Sequence, residues 1–199
     1  MRCVWPIRYI LSVRSLMAAG EGAMKTFRRV AVVVCVLGLA LGAVAGPGYA
    51  GDSELNRDLA SARRATAKYH NVSVAEAAGY TGAGEDCVAL PSGAAMGYHF
   101  VNFALLEDPS IDVEEPEILL YVPSGNGLRL VGLEYWKADA DQDLGTDADR
   151  PTLFGRGFDG PMPGHIPGMP VHYDIHVWVW QSNPDGMFAP FNSNLDCEP

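Results

Sequence analysis

Residues 171–181 read VHYDIHVWVWQ, and this stretch decides the fold. Apolar and polar residues alternate along it, which is the two-residue period of a β-strand with two different faces. The odd positions from 171 to 179 are all apolar, whereas the even positions are His172, Asp174, His176, Trp178 and Trp180. We therefore predict a strand that packs its odd face on a core and carries these five side chains on its other face.

Three earlier segments have the composition of further strands. They cover residues 97–105, 117–122 and 128–137, and they are rich in Val, Leu, Phe, Tyr and Trp. Residues 123–127 read PSGNG, a tight turn that predicts an antiparallel hairpin between the second and third segments. Strands and helices do not alternate along the chain, which argues against a parallel doubly wound sheet.

Two helices are predicted before the strands. Residues 53–70 carry apolar side chains at the spacing of one helical face, with Ser53 as the N-cap. Ser73 and Glu76 form a capping box for a short second helix that ends at Gly79. We expect an α+β domain, an N-terminal helical segment packed on an antiparallel sheet of four or more strands. A cystatin- or NTF2-like cone is one such arrangement.

The N-terminus has the three parts of a secretory signal. Residues 24–29 are basic, residues 30–45 are apolar, and Gly48 and Ala50 are the small residues that a signal peptidase reads. This predicts a signal peptide at 24–50, a single mature domain at 51–199, and an upstream extension at 1–23 that reflects a misassigned start. The apolar run is shorter than the ~20 residues that span a bilayer, although an uncleaved anchor is the alternative. Export by the general or the twin-arginine route stays open.

The predicted mature domain is strongly acidic. It holds 8 basic and 23 acidic residues, a net charge of −15 with histidine neutral. Such a surface repels nucleic acid and anionic membranes, so neither is predicted as a partner, and no protein partner is indicated. Cys87 and Cys197 remain in this domain. In an oxidising compartment such an even pair predicts a disulfide, which would tether the C-terminus.

The polar face of the last strand is the candidate site. Since His172 and His176 lie about 13 Å apart along a strand, they cannot share one ion. Neighbouring side chains on that face can converge with a residue from an adjacent strand, and a His/His/carboxylate set suits a divalent transition metal. The candidate ligands are His99, Glu134, His172, Asp174 and His176. A small ligand, acid/base catalysis, and a buried polar network beneath the N-terminal helix are the alternatives.

Residues 138–170 form a long segment, acidic at first and then rich in Gly and Pro. Its aspartates at 139, 141 and 143 resemble the start of a calcium loop. However, Leu144 and Arg150 stand where that loop requires Gly and Glu, which favours a merely solvated acidic loop. The chain also lacks the G-x-S-x-G, P-loop and dinucleotide-binding motifs, so the sequence does not predict an enzyme.

Several motifs together resemble those of a group of small exported bacterial proteins of uncharacterised function. They are MGYHFVN at 96–102, PEILLY at 116–121, GLEY at 132–135, HVWVW at 176–180, NPDGMFA at 183–189 and the late Cys197. The resemblance implies export and no activity. The sequence thus predicts a secreted, non-enzymatic domain that binds a metal ion or small ligand at the His/Asp/Trp face. A metal-dependent enzyme using the same face and a structural protein of the cell envelope are the alternatives.

Overall fold

The structure is a computed structural model that describes residues 48–83 and 86–198, without the side chains of residues 48–50. The predicted upstream extension and residues 24–47 of the predicted signal peptide lie outside the described residues. Within the described ranges, every helix is too short or too polar to cross a bilayer.

Helical segments come first along the chain, as predicted. Helix α1 covers Gly48–Thr66, a 3₁₀ turn covers Ala67–His70, and helix α2 covers Val72–Ala77. Because α1 begins at Gly48, Ser53 lies inside it, and the prediction of Ser53 as N-cap was wrong. The cap of α2 is Asn71 rather than Ser73, since the Asn71 side chain accepts a hydrogen bond from the Ser73 N–H at 3.1 Å.

One antiparallel sheet forms the body of the domain, which confirms the α+β prediction. Its strands are β1 Tyr80–Gly82, β2 Val88–Ala89, β3 Ala95–Asn102, β4 Ile118–Ser124, β5 Gly127–Ala138, β8 Asp159–Met162 and β9 His172–Val177. They pair in the order β1–β3–β4–β5–β9–β8, and β2 also pairs with β3, on the same side as β1. The predicted hairpin is the β4–β5 pair, in which Ser124 faces Gly127.

Two predicted segments differ from the structure. The strand predicted for 97–105 ends at Asn102, whose side chain accepts a hydrogen bond from the Ala104 N–H at 3.2 Å and caps the short helix α3, Phe103–Leu106. The segment predicted as one long loop contains β8 and a small separate sheet of β6, Thr152–Leu153, and β7, Arg156–Gly157.

The sheet has an apolar core on each face. The helices pack on the first face, where Leu59 and Ala62 of α1 join a cluster with Tyr121, Tyr135 and Ile175. The second face carries a separate cluster that includes Ile118, Leu120 and Trp136, and this cluster also contains Leu195 of the C-terminal segment. The predicted disulfide is confirmed, because Cys87 and Cys197 are bonded across 110 residues and hold that segment.

Candidate metal centre

Sheet register brings three of the predicted ligands together on the second face. Glu134 of β5 lies directly opposite His176 of β9. On the other side of β5, Glu134 faces Ile118 of β4, and His99 of β3 lies two residues further along, opposite Leu120. Strand β4 lies between His99 and Glu134, and the two side chains meet over it, with the His99 Nε2 atom 3.3 Å from the Glu134 Oε2 atom. His99 therefore approaches Glu134 diagonally across β4.

The distances in this cluster suit one metal ion. The Glu134 Oε2 atom lies 3.3 Å from the His99 Nε2 atom and 3.7 Å from the His176 Nε2 atom. One ligand atom from each of the three residues lies within 4.8 Å of the other two. In a tetrahedral zinc site with bonds of about 2.0–2.1 Å, ligand atoms lie about 3.3–3.4 Å apart. The 3.3 Å between His99 and Glu134 matches this spacing, and the two side chains are also hydrogen-bonded to each other.

Burial and neighbouring groups give Glu134 and His176 the protonation states of metal ligands. The side chains of His99, Glu134 and His176 are only 12%, 6% and 2% exposed. Burial lowers the pKa of His176, so its ring is neutral and offers a lone pair. Burial alone would raise the pKa of Glu134, but the neighbouring His176 and His99 outweigh burial and lower it. A neutral imidazole beside an ionised carboxylate is what a transition metal requires.

The ring of His176 is the strongest indication of a missing partner. Neither of its ring nitrogens has a hydrogen-bond partner among the described residues. Buried polar atoms are nearly always paired in folded proteins, so this ring needs an explanation. A metal ion on the Nε2 atom would supply the partner on one side.

The other two predicted ligands lie beside the cluster rather than in it. The Asp174 carboxyl is 3.7 Å from the Nδ1 atom of His176 and 3.9 Å from the Nε2 atom of His172. Burial, followed by the charges of Glu134 and Asp159, raises the pKa of Asp174 to about 8. A carboxyl group behind a ligating imidazole commonly fixes the ring and its tautomer. His172 instead contacts the Pro170 carbonyl oxygen through its Nδ1 atom, at 3.1 Å.

Trp178 packs beside the cluster and lies over Gly132, a residue that the sequence pattern did not indicate. Gly132 occupies the position opposite Leu120, and the ring of Trp178 lies over it: a methyl group on Gly132 would come within 2.9 Å of that ring. The same ring stacks on His176 at 6.3 Å between centroids, and its Nε1 atom donates a hydrogen bond to the Ala189 carbonyl oxygen at 2.6 Å. Gly132 thus makes room for the ring that covers one side of His176.

One alternative and one prediction about this face differ from the structure. The cluster does not lie beneath the N-terminal helix, because α1 packs on the opposite face of the sheet. Trp180 does not line the polar face either. Strand β9 ends at Val177, and Trp180 turns to the helix side, where its Nε1 atom donates a hydrogen bond to the Thr66 hydroxyl at 3.3 Å.

Comparison of the chain with family models, with curated proteins and with solved structures gives no match. The cystatin- or NTF2-like arrangement and the resemblance to small exported bacterial proteins therefore stay predictions.

Proposed function

We propose that this protein is a secreted, non-enzymatic domain that binds one divalent transition metal ion through His99, Glu134 and His176. The observation that carries the proposal is the buried ring of His176, which faces the same Glu134 oxygen as His99 and whose nitrogens have no hydrogen-bond partner among the described residues. Two nitrogen ligands and one oxygen ligand suit zinc, and the same set also suits iron(II). The Asp174 carboxyl would act behind His176 as a positioning group.

Thermal unfolding tests this proposal in the presence of zinc and in the presence of a chelator. At a zinc concentration of 100 times Kd, binding to the native state alone adds about 2.7 kcal/mol to its stability. For a domain of this size that raises Tm by about 5–11 °C. His176→Ala should abolish the rise. His165→Ala is the matched control, since His165 lies against the ring of His172 and outside the cluster.

A purely structural polar network gives a different result. In that case His176→Ala lowers the free energy of unfolding by about 1–3 kcal/mol, because the polar groups around the ring lose their partner. The loss is the same with zinc and with chelator. An unchanged Tm of the wild type across zinc, copper and chelator would refute metal binding. It would favour the structural reading or a small organic ligand at the same face.

A metal-dependent enzyme that uses the same three residues is the second candidate. Three protein ligands leave a fourth tetrahedral position for water or substrate, which favours it. Against it stands the low exposure of all three side chains, of which His99 at 12% is the most exposed. Adding azide to the cobalt-substituted protein separates the two. An unchanged visible spectrum indicates a closed, non-catalytic site, and a changed spectrum indicates an open coordination position.

Secretion is supported by the disulfide and by the signal-like sequence. Disulfides form and persist in oxidising compartments outside the cytoplasm, and Cys87 is bonded to Cys197. The predicted cleavage after Ala50 falls in the first turn of α1. N-terminal sequencing of secreted protein should give a chain that begins at or near Gly51. A secreted chain that retains residues 30–45 would contradict the signal peptide.

A further inference from the structure

The segment that joins β8 to β9 carries two methionines and two histidines outside the candidate metal centre. Residues 162–172 read MPGHIPGMPVH, so that Met162, His165, Met169 and His172 lie within a short stretch of chain. Thioether sulfur together with imidazole nitrogen suits copper(I), whereas zinc sites use Cys, His and carboxylates. This stretch contains no carboxylate or hydroxyl side chain that would suit a hard cation.

The ring of His172 has a buried lone pair without a partner. Its side chain is fully buried, and its Nδ1 atom lies 3.1 Å from the Pro170 carbonyl oxygen. Since a carbonyl oxygen only accepts, Nδ1 carries the ring proton and Nε2 carries the lone pair. Burial lowers the pKa of His172, which keeps the ring neutral. Within the described ranges Nε2 has no hydrogen-bond partner, and the Asp174 Oδ2 atom, 3.9 Å away, is beyond hydrogen-bond range.

The segment folds back toward this ring. The His165 ring packs edge-on against the His172 ring, with 5.0 Å between their centroids. The Met169 Sδ atom lies next to His165, because it accepts a hydrogen bond from the His165 N–H at 3.4 Å. Met162 lies directly opposite His172 in the β8–β9 pairing, and opposed side chains share one face with Cβ atoms about 4.5–5.5 Å apart. Two imidazoles and two thioethers therefore lie together at the start of β9.

Backbone packing holds this arrangement in place. A methyl group on Gly164 would overlap the Met169 carbonyl oxygen, so glycine is what allows the two backbones to approach. The Met169 side chain packs against the core cluster of the second face, where the Trp136 ring stacks on His172 at 5.6 Å between centroids. His165 is exposed, which gives an ion access from solvent.

We propose that His165, Met169 and His172 bind one copper(I) ion, with Met162 as a fourth ligand. Uncharged nitrogen and sulfur ligands suit a soft, singly charged ion and disfavour calcium and magnesium. The disulfide leaves no free thiolate in the described part of the chain to compete for the ion. This site shares no residue with the candidate metal centre, so either proposal can fail without the other.

The test adds copper(I) under nitrogen to the secreted, disulfide-bonded protein after preincubation with zinc, with bicinchoninate as the competing probe. Loss of colour of the copper(I)–bicinchoninate complex should report one copper(I) ion per chain, and the zinc content should not change. X-ray absorption at the copper edge should show sulfur as well as nitrogen neighbours. Absence of copper(I) uptake, release of one zinc ion for each copper bound, or a spectrum without sulfur neighbours would overturn the proposal.

Three variants locate the ion. Met169→Leu keeps the size of the side chain and removes the sulfur, so it should weaken copper(I) binding by at least the 10–100-fold, roughly, that loss of an outer-shell partner costs a metal site. His165→Ala should weaken it similarly and keep the response to zinc. Met187→Leu is the matched control, because Met187 packs on the helix side of the sheet, and it should bind copper(I) like the wild type. Wild-type affinity in Met169→Leu and His165→Ala, or an equal loss in Met187→Leu, would contradict the assignment.

Discussion

Removing the disulfide by replacing Cys87 and Cys197 together with serine should destabilise the domain strongly. The bond closes a loop across 110 residues, for which the chain-entropy model gives about 4.8 kcal/mol at 25 °C. Cys197 also packs against the core of the second face, which contains Leu195, and Asn192 forms a β-bridge with Ala95 of β3. Since these contacts persist without the bond, we expect a loss of about 3–5 kcal/mol rather than global unfolding.

Urea unfolding followed by tryptophan fluorescence measures this loss. The variant should show a lower midpoint and a larger m value, because its unfolded chain is no longer cross-linked and exposes more surface. Wild-type protein reduced with a phosphine should match the variant. A loss of less than about 1 kcal/mol with an unchanged m value would refute the argument that this bond restricts the unfolded chain.

Two further predictions concern single residues near the sheet. Glu117 is buried, accepts a hydrogen bond from the Trp136 N–H at 3.1 Å, and has a pKa raised to about 8, mainly by burial. Because the native state then holds a proton that the unfolded chain releases near pH 4.5, wild-type stability should fall by up to about 1.4 kcal/mol per unit as pH rises from 4.5 to 8. Urea midpoints of Glu117→Gln should lack this component, and parallel pH profiles would disprove it. Gly132→Ala should cost about 1–3 kcal/mol and weaken zinc binding, since its methyl group meets the Trp178 ring at 2.9 Å. Gly127→Ala on the same strand faces open space and should change stability little, so equal effects of the two alanines would exclude the packing explanation.

Local geometry explains what could be predicted about the fold. Alternation along a strand placed His172, Asp174 and His176 on one face, and the turn at 123–127 predicted the β4–β5 hairpin. The strand's end was missed because it depends on a distant segment: the Trp178 N–H donates to the Met187 carbonyl oxygen at 2.9 Å instead of continuing the ladder. A hydrogen bond of that kind leaves no signal in the alternating pattern.

The site could be nominated from the sequence but not selected. The sequence offered five candidate ligands on three predicted strands. Only the register between the strands places Glu134 opposite His176 and brings His99 to the same carboxylate of Glu134. The burial of Asp139 was missed for a related reason. Its position is fixed by a bond to Val171, 32 residues away, whereas the local sequence shows only an acidic, solvent-seeking loop.

The metal content of the natively secreted protein tests the central claim most directly. Plasma mass spectrometry of protein purified without metal-binding resins or chelators should give one zinc ion per wild-type chain. The same preparation of Glu134→Gln should fall close to zero, because the neutral amide replaces the ionised oxygen that faces both histidines. Zinc, copper and iron all at background in the wild type, or full zinc occupancy in Glu134→Gln, would contradict a metal centre at these residues.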